Sequence, residues 1–291
     1  RCESAADMGG GSKSSKSSVK KLAELKRRLL EVHDLEAAAA VLGWDQRSFM
    51  PRGGATARAR QIGQLQRLAH VKFTEPAVGK LLDGLRSYAE SLAYDSDDAS
   101  LVRVTRRDYE RATRIPAEFK ARYDANAALT YQVWTQARAE DDFAAVEPYL
   151  ERTLDLSREY AAFFPEAEHP IDPLIALFDE GVTGRFLSRL FAELRAHLVP
   201  MVQAIAAQPA SDISCLQQYF PAERQLAFGL EVVQRFGYDL ERGREDLSDH
   251  PITTGFGVDD VRITTRVDEH NPVSALFGTM HEAGHALYMQ N

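Results

Sequence analysis

Cysteine is almost missing from this sequence: Cys2 and Cys215 are the only two among 291 residues. Two cysteines give no disulfide framework, which excludes a small disulfide-built scaffold and makes a reducing, cytoplasmic location the expectation. Long apolar runs are missing as well. No stretch approaches the roughly 20 residues needed to span a bilayer, so no membrane role is expected. Positive charge is in deficit, with 35 Lys and Arg against 43 Asp and Glu and a net charge of -8 at pH 7. That balance argues against a nucleic-acid or anionic-membrane partner. No repeat of fixed period is visible. What remains is ordinary for a soluble globular chain, 44% hydrophobic and 27% charged, and long enough for one large domain or two smaller ones.

Residues 1–18, ending in GGGSKSSKSS, offer almost nothing to bury and are expected to be a disordered tail. From residue 19 to about 237 the sequence reads as a helical body. Leu22, Leu25, Leu29 and Val32 form a stripe of helical period, interrupted by the Pro and two Gly of Met50 to Ala55. Further helices are predicted over 56–71, 76–89, 99–113, 116–138, 147–164, 174–179, 183–207 and 222–236, and their stripes are read as helix-packing core. Pro165 to Pro173 reads as a loop. After Gly237 the texture changes: apolar residues alternate with polar ones and threonine is frequent. One or two short strands are predicted between Pro251 and Arg266, with 260–266 the strongest. Asn271-Pro272 then supplies a cap and a first-turn proline for a helix to about Met289. Residues 238–291 thus form a strand and helix region following the body.

That last helix carries His281-Glu282-Ala283-Gly284-His285. Histidines four apart project from one helix face, so both imidazoles can converge on one metal ion. Glu282 lies about 100° around the helix from His281, beside the metal rather than on it. There its carboxylate can take a proton from a metal-activated water and later pass it to a leaving amine. Ala283 and Gly284 keep the turn slim, leaving room for a substrate or a neighbouring strand. Two histidines fall short of the three protein ligands typical of catalytic zinc. Six residues follow His285, with Tyr288 and Asn291 where a metzincin would place a glycine and its third histidine.

Together with this motif, several other stretches resemble the carboxypeptidase Taq family of HExxH zinc metallocarboxypeptidases. They are HEAGHALY (His281 to Tyr288), DVRIT (Asp260 to Thr264) and His250-Pro251-Ile252, where the family has HPF. Trp44-Asp45-Gln46, Met50 to Gly54 and Trp134 to Leu150 are similar too, so the resemblance spans residues 19–291. It implies a mainly α, saddle-like fold with a small β-sheet beside the zinc-binding helix. It also implies removal of single residues from peptide C-termini with broad specificity, Zn2+ or Co2+ as cofactor, and a homodimer. By the family pattern His281 and His285 are metal ligands and Glu282 is the general base. The family's third ligand is a Glu beyond the second His, so this chain is expected to be an N-terminal portion lacking that ligand.

His250 could line the groove, donate a hydrogen bond near the metal, or simply hold a turn. Asp260 and Arg262 could orient a ligand from behind or form a structural salt bridge. Ile252 in place of Phe removes an aromatic wall, and Trp44 and Trp134 read as packing residues. A carboxypeptidase needs a cation for the terminal carboxylate. Arg262 is the motif arginine near the zinc helix and is not expected to fill that role. Two other readings compete: a catalytically incompetent helical protein acting through dimerisation or partner binding, and an HExxH aminopeptidase or endopeptidase.

Overall fold

The structure is a computed structural model and describes residues 10–291. It is mainly helical with one small sheet, and its described residues fall into two compact units divided between Ala121 and Arg122.

In the first unit α1 (Gly10–Ser48) packs against α2 (Ala55–Phe73) and α3 (Pro76–Glu90), and α3 packs against α4 (Asp97–Arg114). The predicted stripe is the core: Leu22 and Leu25 meet Val78, Leu82, Leu85 and Val102, all buried. The break at 50–55 is a single 3₁₀ turn, Arg52–Gly54. Asp45 closes that corner by accepting from Arg58 Nη1 at 2.5 Å, and the same atom also donates to Leu42 O at 2.8 Å. Trp44 is buried edge-on to Phe49. The expected disordered tail, residues 1–18, lies half outside the described residues. Residues 10–18 continue α1 as helix, while residues 1–9 lie outside the described residues. Once a helix is nucleated by its packed part, each added residue closes one more backbone bond, so even a Ser- and Lys-rich stretch can extend it.

α5 (Ala117–Glu140) leads into the second unit, which holds α6 (Phe143–Ala162), the short α7 (Asp172–Ile175), α8 (Gly184–Ala206) and α9 (Ala222–Arg235). Helix α6 starts earlier than Glu147-Pro148. Asp142 caps it, accepting from Ala145 N at 3.2 Å, and Pro148 sits inside. A side-chain cap outweighs the proline signal here, and Pro148 simply forgoes its own backbone bond. Helix α8 bears an apolar stripe of helical period, but none of its residues is buried, and Phe186, Phe191, Leu194, Val202 and Ile205 are exposed.

The sheet has the order β1-β3-β2: β1 (Glu245–Leu247) is parallel and β2 (Thr253–Gly257) antiparallel to β3 (Asp260–Thr265). β2 and β3 fall within the predicted strand region; β1 was not predicted. Against the sheet lies α10 (Pro272–Gln290), capped by the Asn271 side chain, which accepts from Ser274 N at 3.4 Å. Val261 and Ile263 of β3 pack with Val233, Tyr238, Ala283 and Ala286 in the second core. Trp134 of α5 stands edge-on to His250 with ring centroids 6.3 Å apart, so the strand and helix region coheres with helices well before Gly237.

Candidate metal centre

Helix α10 has one buried face, formed by Ala275, Thr279, Glu282, Ala283, Ala286 and Gln290. The alanines let the sheet approach closely, as the slim turn suggested for Ala283. At Gly229 of α9 a Cβ would come within 3.3 Å of Thr279 Cγ2, so that helix also needs a small residue at the crossing. The far end is pinned by Gln290. Its Nε2 donates to Asp239 O (3.0 Å) and Arg242 O (3.2 Å), and its Oε1 accepts from Asp239 N (3.1 Å). Arg242 Nη1 donates to Gln290 O at 2.8 Å, satisfying a carbonyl of the last turn. The helix is therefore fixed in position and rotation before any ligand binds.

His281 and His285 lie on the opposite, exposed face. Their rings are near-perpendicular (82°, centroids 4.9 Å apart), and the two Nε2 atoms are 3.3 Å apart. Two nitrogens bound to one tetrahedral ion at about 2.05 Å are separated by about 3.3 Å. The pair therefore fits two corners of such a site without rearrangement. Paired imidazoles suit zinc or cobalt better than calcium or magnesium, which prefer oxygen donors. Among the described residues no group of three or more His, Cys, Asp or Glu is placed to hold one ion. The donors present are two, and a carboxylate would complete a common catalytic set.

Glu282, about 100° around the helix from His281, falls on the buried side and is only 7% exposed. Thr253 Oγ1, on β2, lies 2.7 Å from its Oε2 and 2.8 Å from its backbone O. The residue before Thr253, Ile252, is in turn held by Thr264. The Thr264 hydroxyl accepts from Ile252 N (2.9 Å) and from Ser248 Oγ (2.7 Å), and its own N–H donates to Ile252 O at 2.9 Å. Neither threonine was singled out from the sequence. The only signal was their place directly after HPI and within DVRIT.

His250 is exposed and packs on Trp134, whose ring also carries Arg138 at 5.3 Å from its centroid. Pro251 lies one turn of α10 before Glu282, where a Cβ on Gly278 would stand 3.7 Å from its Cγ. Asp260 and Arg262 engage each other through two hydrogen bonds of 2.7 and 2.8 Å, and the Arg262 guanidinium sits over the Phe256 ring. Asp260 holds Arg262 still more firmly protonated. The structure thus brings His281, His285 and Glu282 onto one helix, and joins Asp260 to Arg262 on the adjacent strand.

One carboxylate behind the motif is conspicuous. Glu245 Oε1 accepts from Thr279 Oγ1 at 2.5 Å, while Oε2 is buried with no hydrogen-bond partner among the described residues. Burial first, and Asp246 second, push its carboxyl above the usual glutamate value of 4.5, against a lowering by the Thr279 bond. The folded state therefore binds a proton more tightly than the unfolded one. Stability is greatest below the unfolded value and falls as pH rises through the raised folded value. Glu245→Gln is expected to raise the melting temperature by roughly 2–4 °C at pH 7. At pH 4 and below the two melting curves should coincide.

A family model described as carboxypeptidase Taq (M32) metallopeptidase matches residues 24–291. Carboxypeptidase 1 of Bacillus subtilis is 36% identical over 265 residues, covering 90% of this chain and 52% of the relative. Thermostable carboxypeptidase 1 of Thermus thermophilus is 37% identical over 268 residues, covering 88% and 52%. The crystal structure of an M32 carboxypeptidase from Deinococcus radiodurans superposes with a TM-score of 0.81 at 46% identity, covering 93% of this chain and 54% of that one. The chain spans about half the length of the curated relatives it matches.

Proposed function

The chain belongs to the carboxypeptidase Taq (M32) family of metallopeptidases, and from that premise we propose that the full-length protein is a zinc-dependent carboxypeptidase. It removes single residues from the C-termini of peptides with broad specificity, and it works in the cytoplasm as a homodimer. The observation that carries the reading is the 3.3 Å separation of the His281 and His285 Nε2 atoms, the spacing of two ligands on one tetrahedral ion. Cobalt would fit the same donors.

When bound there, a divalent cation polarises the scissile carbonyl and brings the pKa of water toward about 7. His281 and His285 hold that cation through Nε2, which requires both rings neutral with the proton on Nδ1. Glu282 accepts the proton of the attacking water and delivers it to the departing amine. Ala283 and Ala286, on either side of the His285 turn, pack α10 on the sheet, which supports a fixed placement of Glu282. Asp260 and Arg262 are assigned to holding β3, and His250 to the rim beside Trp134. A cation elsewhere in the full-length protein would take the terminal carboxylate, since Arg262 is already engaged by Asp260. The reading of an inert helical protein is not favoured by relatives that are named carboxypeptidases.

Product analysis tests this function. The full-length protein is expected to release residues one at a time from a peptide with a free C-terminus and to leave its C-terminally amidated twin intact. Internal cuts, or release from the N-terminus, would reassign it to the endopeptidase or aminopeptidase class. His281→Ala and His285→Ala should each abolish retention of one metal per chain after dialysis, measured by elemental analysis.

A further inference from the structure

We propose that Thr253 is a positioning residue for the reaction, holding the Glu282 carboxylate by Oε2 so that Oε1 is the oxygen that receives the proton. The inference rests on the assignment of Glu282 as the general base. The Thr253 hydroxyl lies 2.7 Å from Glu282 Oε2 and 2.8 Å from Glu282 O, so one side chain grips both ends of the residue. Its single proton goes chiefly to the charged oxygen, where the hydrogen bond is stronger. Glu282 Oε1 has no hydrogen-bond partner among the described residues.

The grip is rigid because Thr253 is rigid. Its β-branched side chain has few rotamers. Its backbone is in register with Ile263, a buried residue of β3. The preceding residue, Ile252, is tied to Thr264 by both its N–H and its carbonyl. Thr264 of the DVRIT stretch therefore fixes Ile252 of HPI, and the next residue in the chain, Thr253, bonds the Glu282 carboxylate. This gives these two separate sequence motifs a shared task. A glutamate without that anchor can rotate about three side-chain torsions, and a displacement of about 1 Å at a reacting group can cost on the order of 100-fold in rate.

The test uses the full-length, metal-loaded enzyme with Thr253→Val, Thr253→Ser and Glu282→Gln. Thr253→Val is expected to lower kcat by about 10–100-fold, with KM and metal content unchanged, and Thr253→Ser should recover most of the loss. Thr253→Val should add no further loss in the Glu282→Gln background, because both act through one carboxylate. A crystal structure of Thr253→Ala should show Glu282 in a different rotamer, a readout independent of turnover. Thr253→Ala also carries the kinetic expectation if the valine variant does not fold. Near wild-type kcat in Thr253→Val with an inactive Glu282→Gln would overturn the role of Thr253 alone. So would loss of metal, a change confined to KM, or an unmoved Glu282. An active Glu282→Gln would instead overturn the general-base assignment on which the inference stands.

Discussion

Glu282→Gln in the full-length protein lowers kcat by about 10²- to 10⁴-fold, the range that one general acid–base group contributes, with metal content and melting temperature close to wild type. Three features lead to this expectation. Glu282 is buried and directly follows the exposed ligand candidate His281, so its carboxylate is largely screened from bulk water. It does not share the Nε2 convergence of His281 and His285, so its loss leaves the metal donors untouched. Gln keeps the volume and an acceptor for Thr253 but cannot take a proton at neutral pH. The measurement is steady-state kinetics on a free-C-terminus peptide with metal content determined in parallel. Loss of metal along with activity would mean that Glu282 is itself needed to hold the ion.

Gly243→Ala is expected to have the largest effect on stability. A Cβ at Gly243 would lie 2.2 Å from Tyr238 Oη and 2.6 Å from both Tyr238 Cζ and Val261 O. Neither neighbour can yield cheaply. Tyr238 is 2% exposed, and its hydroxyl lies 2.8 Å from Val261 O and 3.2 Å from Arg244 O. Burial pushes that phenol's pKa up, so it stays a neutral donor. Val261 belongs to the β3 strand that supports α10. Overpacking at such a site costs about 3 kcal/mol, or roughly 6–12 °C in melting temperature for a protein of this size or larger. Gly63→Ala, where nothing lies within 4 Å of the added Cβ, is the control. It should be neutral or slightly stabilising, because alanine favours helix. Equal melting temperatures for the two variants would contradict the packing described around Tyr238.

The contrast between these two glycines marks what the sequence could and could not reveal. Periodicity exposed the first core, because Leu22 and Leu25 recur at helical spacing and bury where the pattern put them. Capping chemistry placed α10 within a residue of its bounds, since Asn271-Pro272 leaves little choice of start. It failed at α6, where the Asp142 cap overrode the more conspicuous Pro148. Strand β1 escaped because three residues, Glu245 to Leu247, have no alternation to detect; pairing with β3 makes them a strand. The stripe of α8 forms the expected helix but not the expected packing core, because burial depends on a covering surface that the described residues do not provide.

At the site, spacing alone put His281 and His285 on one face, because a helix leaves no other option for residues four apart. Thr253 and Thr264 were illegible for the opposite reason. Each acts through a contact between segments distant in sequence: Thr253 reaches Glu282 from 29 residues away, and Thr264 reaches Ile252 from 12. Threonine is so common in strands that nothing in its identity announces such a partner. Asp260 and Arg262 were visible as a pair two apart on a strand, and the same-face geometry of that spacing explains why they meet each other.

The most direct test of the central claim is anomalous diffraction at the zinc edge from crystals of the full-length protein. The account predicts one peak about 2 Å from both His281 Nε2 and His285 Nε2, with Glu282 adjacent but not bonded to it. A zinc peak elsewhere, or one that touches only one of the two histidines, would contradict it.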